Sequence, residues 1–547
     1  MASSPESENL ALAAPVRPRS ETLNTRAAGI VGLAVMCSRL LGLIREQVFY
    51  AMFGGGLYMD AFVIAFRIPN LLRDLFAEGA LSTAFVTVFS RTISRDGDAA
   101  AFRLGSKVTT LALLTLGAIT LLGIVFAPWV ISVLAPGFDP AKQALTVTLA
   151  RIMYPFILLV SLAALVMGML NARNVFGIPA MASSFFNLGS IFSGVLLAWV
   201  FDHHFGPRAL MGLALGTLVG GLLQLGVQLP ALRRAGFVFR PDLRWRDPGV
   251  RDVLRLMGPS VIAASSTQIN VMVNSVFASQ LGDGPTSWLS AAFRLMQLPL
   301  GIFGVALGTV SLPLLARLAA AGNREGFRSE LSRGIRLAFL MTIPAAVGLM
   351  VLADPIMFVL YRHGRFTPHQ AFEAAGALQY YAGGLIGYAS LKVLVNAFYA
   401  IDRRMTPMFV SFGAVGLNLL FNWLFTWHLG WGHRGLAFST ACVASTNFVV
   451  LYLLMRQELG RFESGALLSL TARTVFASAV MAAVCLASSH WLLPDWAERG
   501  FWVRLAWLLA TIIVGVAAFA ASATALRVSE LTAITGAFRR RLQRAMG

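Results

Sequence analysis

Long apolar runs recur along almost the whole of this 547-residue chain, and that recurrence constrains its fold more than any other feature. Breaks of Gly, Pro and charge divide the runs into helices over roughly 25–52, 58–91, 104–135, 142–172, 179–201, 208–232, 250–281, 286–318, 333–361, 369–401, 406–428, 434–457, 466–492 and 501–527. A bilayer span takes about 20 mostly apolar residues. The sequence therefore predicts an all-α integral membrane protein of about fourteen transmembrane helices. Residues are 57% hydrophobic and 13% charged, against about 45–50% and about 25% in soluble domains, which leaves little chain for a catalytic domain outside the membrane. Residues 1–24 hold Pro5, Pro15 and Pro18 among Ser and Glu and lack the apolar core of a cleaved signal, so they read as a disordered cytoplasmic head.

An even number of spans puts both ends on one side. With the head taken as cytoplasmic, the inner connections collect about 28 Lys and Arg, including the run from Arg233 to Arg255 and the tail residues Arg539, Arg540, Arg541 and Arg544. The outer connections hold about seven: Lys142, Arg208, Arg362, Arg365, Arg434, Arg499 and Arg504. That bias sets both termini in the cytoplasm, and it absorbs most of the net charge of +19. The basic runs are then expected beside anionic lipid, with no nucleic-acid partner. Cys37, Cys442 and Cys485 are far apart in apolar stretches and support neither a disulfide framework nor a metal site. The seven histidines, His203, His204, His363, His369, His428, His433 and His490, fall in outer loops or at helix ends and are expected to be solvated.

The chain also repeats itself. Ala65-Phe66-Arg67 recurs as Ala292-Phe293-Arg294, Phe102-Arg103 as Phe327-Arg328, Pro128 with Gly137 as Pro355 with Gly364, and Ala172 with Pro179 as Ala400 with Pro407. The offsets are 227, 225, 227 and 228. Four matches in order at a nearly constant offset predict two pseudo-symmetric six-helix bundles, over 25–235 and 236–460, followed by two C-terminal helices over 461–528 and a basic cytoplasmic tail over 529–547. Parallel repeats of this kind place a substrate site at their interface and work by alternating access.

Catalytic patterns are missing: the sequence has no G-x-x-x-x-G-K-[ST] loop, no H-E-x-x-H, no G-x-S-x-G and no Cys/His cluster with metal spacing. No catalytic residue, metal or cofactor is expected, and ATP-driven transport by this chain alone is disfavoured. Charge inside the predicted spans is what stands out: Arg39, Arg45 and Glu46 in the first, Asp60, Arg67, Arg73, Asp74 and Glu78 along the second, and Arg294 in the eighth. One arginine at mid-bilayer costs about 2.5–3.5 kcal/mol on insertion scales, so these groups cannot face lipid. Snorkelling, or an internal pair between Arg67 and Asp74 on one helical face, is the bland reading. The functional reading is a cationic cavity between the bundles, where Arg67 and Arg294 are matched by the repeat and the planar arginine fork suits phosphate oxygens. Pro69 beside Asn70 adds a kink, and Gly54-Gly55-Gly56 a pliable turn.

Ser38-Arg39-Leu40-Leu41-Gly42 with Arg45, Asp60-Ala61-Phe62, and Phe66-Arg67-Ile68-Pro69-Asn70-Leu71-Leu72-Arg73 running to Phe76-Ala77-Glu78-Gly79-Ala80 strongly resemble the MurJ/MviN family of lipid II flippases in the MOP exporter superfamily. The similarity continues through Ala135-Pro136-Gly137-Phe138, Gly304-Val305-Ala306-Leu307-Gly308-Thr309 and the segment around Lys392, and so covers nearly the whole chain. The resemblance implies a fourteen-helix flippase of the inner membrane that moves lipid II, the undecaprenyl-diphosphate-linked disaccharide pentapeptide, to the outer leaflet for peptidoglycan synthesis. It implies that Arg39, Arg45, Arg73 and Arg294 line the central cavity, that Asp60 is important, and that the last two helices form a groove for the lipid tail. Asn70, Arg67 and Glu78 complete the expected substrate-binding set. Expected partners are lipid II, membrane lipid, and proteins of cell-wall elongation and division. The chain departs from the family at Phe293 and Gln297, where relatives carry Asp and Glu, which removes two negative charges beside Arg294. The rival readings are a flippase for another lipid-linked anionic saccharide, a MATE-like antiporter of cationic drugs, and an integral membrane transferase.

Overall fold

The structure is a computed structural model and describes residues 25–75, 81–460, 464–489, 498–528 and 530–531. The expected head over 1–24, nearly all of the tail over 529–547, Glu78 and His490 lie outside the described residues. Among the described residues the regular structure is helical throughout. The first part of the chain forms α1 (Thr25–Phe53), α2 (Leu57–Leu72), α3 (Leu81–Leu134), α4 (Pro140–Met153), α5 (Phe156–Ala172), α6 (Gly177–Phe201), α7 (Pro207–Gly226) and the short α8 (Leu229–Arg234). The second forms α9 (Pro248–Ser279), α10 (Pro285–Ala320), α11 (Arg324–Val351), α12 (Ala353–Tyr361), α13 (Pro368–Gly383), α14 (Leu385–Ala400), α15 (Met405–Trp423) and α16 (Gly432–Leu459), followed by α17 (Ser464–Ala487) and α18 (Phe501–Ala525). Nine of the described helices or helix pairs are long and apolar enough to cross a membrane, or ten when α9, bent by 42°, counts as one span. This is an all-α, multi-pass membrane fold. Outside that set are α1, α2, α10, α12, α13 and α14, and most of the charged residues of the cavity described below lie on α1, α2, α10 and α14.

Local chemistry explains many helix starts. Proline follows the cap residue at Asp139-Pro140, Asp247-Pro248 and Thr367-Pro368, where its missing N–H costs nothing. Asp139 accepts hydrogen bonds from the amides of Ala141 (3.1 Å) and Lys142 (3.2 Å), and Thr367 forms a reciprocal capping box with Gln370. The sequence places continuous helices over 142–172, 208–232, 333–361 and 369–401, whereas the structure divides each in two. The breaks fall at Tyr154–Pro155, Val227–Gln228, Leu352 and Gly384. Likewise α2 ends at Leu72, and the run from Leu81 to Leu134 is broken at Gly97, whose φ of 79° and ψ of 174° lie where only glycine rests comfortably.

Small residues let neighbours meet closely. Gly212, Gly216 and Gly220 on α7 face the backbone of Ala198, Gly194 and Phe186 on α6, a four-residue repeat that brings the two helix axes together. The largest core cluster runs from Phe85 and Phe89 of α3 to the aromatic group of Tyr50, Tyr361 and Phe366, which joins α1 to the α12–α13 connection. Phe327, Leu331, Phe398 and Leu451 centre a second cluster on α11, α14 and α16. In a third, Met481, Cys485, Trp507 and Phe519 pack α17 and α18 on α11 and α12.

Two connections seal one end of the molecule. Gly137, after α3, lies so near Ser279 and Gln280 at the end of α9 that no Cβ would fit, and Gly364, after α12, lies equally near Ala51 at the end of α1. Gly364 also has a φ of +57°, and the amide of Arg365 donates to the Ala51 carbonyl at 2.8 Å.

Candidate functional site

A cavity of about 570 Å³ lies between α1, α2, α6, α7, α10 and α14. Arg39 and Arg45 reach it from α1, Arg67 and Asn70 from α2, Arg73 from just beyond α2, Arg294 from α10 and Lys392 from α14. Six cations thus face two carboxylates, Glu46 and Asp74. The pairing pattern decides which guanidinium groups stay open.

Glu46 forms an ion pair with Arg294, joining α1 to α10 across the cavity. The carboxylate beside Arg294 therefore comes from a different helix than the family's pattern at 293 and 297 leads one to expect. Phe293 packs edge-on against Tyr381, with ring centroids 5.3 Å apart, and Gln297 lines the cavity as a neutral group. Asp74 pairs with its neighbour Arg73, Nη2 to Oδ1 at 2.8 Å, and not with Arg67. The Arg67 Nε is buried with no hydrogen-bond partner among the described residues. Arg45 stacks on the Phe186 ring, 4.9 Å from its centroid, an arrangement that positions a guanidinium without neutralising it. Arg39 extends over Gly301, where a larger residue would displace it. The Asn187 amide donates to the Ser38 carbonyl at 2.9 Å and fixes α1 against α6 at the level of these arginines.

Asp60 stands apart from this group and does not line the cavity. It is fully buried at the start of α2. Its carboxylate accepts hydrogen bonds from the amides of Gly284 (2.6 Å) and Ser287 (2.8 Å) at the beginning of α10 and an ion-paired one from Lys142 Nζ (2.9 Å). The physical reason is the unsatisfied N–H groups and positive dipole end of α10, which attract a carboxylate from α2. Lys142 also pairs with Asp283 at 2.7 Å and lies over the Phe138 ring. It is 2% exposed, so it belongs to the interior and not to a solvated outer loop. His433 is likewise buried, with Nε2 3.0 Å from the Glu373 carbonyl. Around the Asp60–Lys142 pair, Tyr50 donates to the Ser287 carbonyl (2.7 Å), Gly55 N–H to Gln370 (2.8 Å) and Arg365 to the carbonyls of Phe205 (2.8 Å) and His204 (2.6 Å). These bonds tie together the ends of α1, α2 and α10 on one side of the cavity.

Sequence reasoning left Lys392 and Glu46 out of the binding set. Lys392 had a signal: it is one of three lysines in a chain of 44 basic residues and sits within an apolar run. Glu46 had none that separates it from Asp74, because its partner is 248 residues away.

A family model described as "Lipid II flippase MurJ" matches residues 49–506. The "Lipid II flippase MurJ" of Burkholderia cenocepacia is 36% identical over 439 residues, covering 79% of this chain and 84% of that protein. The "Probable lipid II flippase MurJ" of Vibrio cholerae is 35% identical over 519 residues, covering 92% and 97%. Among solved structures, "Lipid II flippase MurJ, inward closed conformation" superposes with a TM-score of 0.74 at 25% identity, over 90% of this chain and 98% of the other. A multidrug MATE transporter of the MOP superfamily, in an inward-facing conformation, superposes with a TM-score of 0.65 at 17% identity, over 79% and 98%, a likeness of fold alone.

Proposed function

Since the chain belongs to the MurJ family of lipid II flippases, we propose that it is a transporter that moves lipid II across the inner membrane for peptidoglycan synthesis, gripping the diphosphate in its arginine cavity. The observation that carries this reading is the excess of six cations over two carboxylates in one chamber. Guanidinium groups bind phosphate oxygens through parallel hydrogen bonds. Arg67, unpaired among the described residues, and Arg45, held by a ring rather than by an acid, are the readiest to do so. Arg39, Arg73, Arg294 and Asn70 complete the grip, and Glu46 limits the charge that the empty chamber presents. The sugar-peptide head occupies the polar cleft while the polyprenyl chain stays in the bilayer, against the groove of α17 and α18.

The architecture that suits this cycle is fourteen spans in two six-helix bundles, 25–235 and 236–460, with both termini cytoplasmic. The offset of about 227 residues supports it, as does the matched placement of Gly137 and Gly364. The Asp60–Lys142 seam then closes the outer side, and its release lets the head group leave. A cation antiporter is a poorer fit, because its cargo needs carboxylates where this chamber presents arginines. The test is depletion of the protein in its host with lipid II assayed in each leaflet. Precursor accumulates in the inner leaflet, and Arg39→Ala or Arg294→Ala fails to restore growth. Full translocation by both variants would remove the proposed roles.

A further inference from the structure

One wall of the central cavity is polar yet uncharged. Between Gly177 and Phe201 α6 has no charged residue, and α7 has only Arg208, in its first turn. Both helices are long and apolar enough to cross the membrane, and the uncharged polar side chains of α7 are Thr217 and Gln224. Both line the cavity, as do Ser183 and Asn187 of α6. The spacings, seven residues on α7 and four on α6, put each pair on one face of its helix. Gly212, Gly216 and Gly220 of α7 pack on Ala198, Gly194 and Phe186 of α6, so the helices run antiparallel. The same register carries Gln224 to the level of Ser183, and Thr217 to the turn that begins at Asn187.

These side chains keep bonding capacity toward the cavity. Those of Ser183 and Gln224 make no hydrogen bond among the described residues. Asn187 donates to the Ser38 carbonyl at 2.9 Å, which leaves its Oδ1 to accept. The Thr217 hydroxyl donates to the Leu213 carbonyl at 3.0 Å and keeps its lone pairs. Guanidinium groups suffice for phosphate oxygens, whereas polar side chains within a membrane-crossing helix are costly unless something pairs with them. We propose, resting on the lipid II reading of the cavity, that this wall of α6 and α7 is a saccharide subsite, which pairs with the sugar joined directly to the diphosphate. Its position selects that part of the cargo. Phe186, next to Asn187, carries the Arg45 guanidinium 4.9 Å from its ring centroid, so the wall begins where the phosphate grip ends. Sugar hydroxyls and amides both donate and accept, as the Asn and Gln side chains do. A site built to hydrogen-bond a group rejects an analogue that lacks it, because its own polar atoms are left unpaired. The subsite therefore discriminates against a bare polyprenyl diphosphate, which the arginines alone would accept.

The test is native mass spectrometry of the full chain in detergent micelles, titrated with lipid II, with the same lipid lacking its peptide, and with undecaprenyl diphosphate. The parent binds the first two at least tenfold more tightly than the third. Thr217→Val and Gln224→Leu each remove most of that margin, leave the affinity for undecaprenyl diphosphate as it was, and unfold at the parent's temperature. Arg45→Gln weakens all three. Equal affinities of the parent for the three lipids overturn the subsite while the diphosphate grip stands, and so does an unchanged margin in both variants. If the peptide-free lipid binds no better than undecaprenyl diphosphate, the wall belongs to the peptide and the sugar contact is overturned. A parent that binds none of the three removes the lipid II reading itself, and the subsite with it.

Discussion

Lys142 and Arg67 are interior cations with opposite surroundings. Lys142 is satisfied by Asp60 and Asp283, whereas the Arg67 Nε has no partner among the described residues. Removing one member of a buried pair costs about 3–5 kcal/mol. Lys142→Met is therefore expected to lower thermal stability by about 3 kcal/mol, the low end, because Asp60 keeps its two amide donors. Arg67→Met should leave the unfolding temperature unchanged or higher while slowing lipid II flipping in vesicles. Equal losses of stability in the two variants would contradict the contrast between them. The arginines were legible in the sequence because charge within an apolar run has so few explanations. The task of Asp60 was not, since its partners Lys142, Gly284 and Ser287 lie 82, 224 and 227 residues further on. Lys142 reads as a loop residue because Pro140 and Asp139 stand just before it, and only the packing reveals that the cap is folded inward.

The all-α, multi-pass character of the chain was legible, whereas the continuity of its helices was not. Hydropathy cannot report a break such as Leu352 or Gly384 inside an apolar stretch, and proline is no sure guide: Pro155 ends α4, while Pro128 and Pro344 sit within α3 and α11. The connection after α12 offers a test. Alanine at position 364 would need a left-handed backbone and would collide with Ala51, so Gly364→Ala should speed hydrogen exchange over 50–56 and 363–366. The connection between α8 and α9 offers another. Arg244 hydrogen-bonds the Asp242 carboxylate and holds its pKa down to about 2 from 3.8. A depressed carboxylate stabilises fully above its ordinary pKa and loses that contribution as the pH falls through the folded value. Resistance of 236–247 to proteolysis should then persist from pH 7 to about 4 and fall toward about 2, and Arg244→Ala should lower that resistance already at pH 7 and abolish its fall between about 4 and about 2.

Across the whole molecule, charge couples the proposed cycle to the membrane. One unit charge crossing the bilayer gains or loses about 2.3 kcal/mol per 100 mV. With the interior negative, the net outward transfer of a diphosphate over a full cycle is favoured, and the emptied cavity, with six cations to two carboxylates, is drawn back. Flipping by purified protein in vesicles should slow markedly when the potential is abolished, and equal rates at zero and reversed potential would contradict the coupling. The offset between matched residues was visible in the sequence, whereas the contacts of Gly137 and Gly364 are visible only in three dimensions. Gly137 rests on the end of α9 and Gly364 on the end of α1. Each sets a connection from one half of the chain against a helix of the other, so an exit for cargo at that end requires both contacts to part.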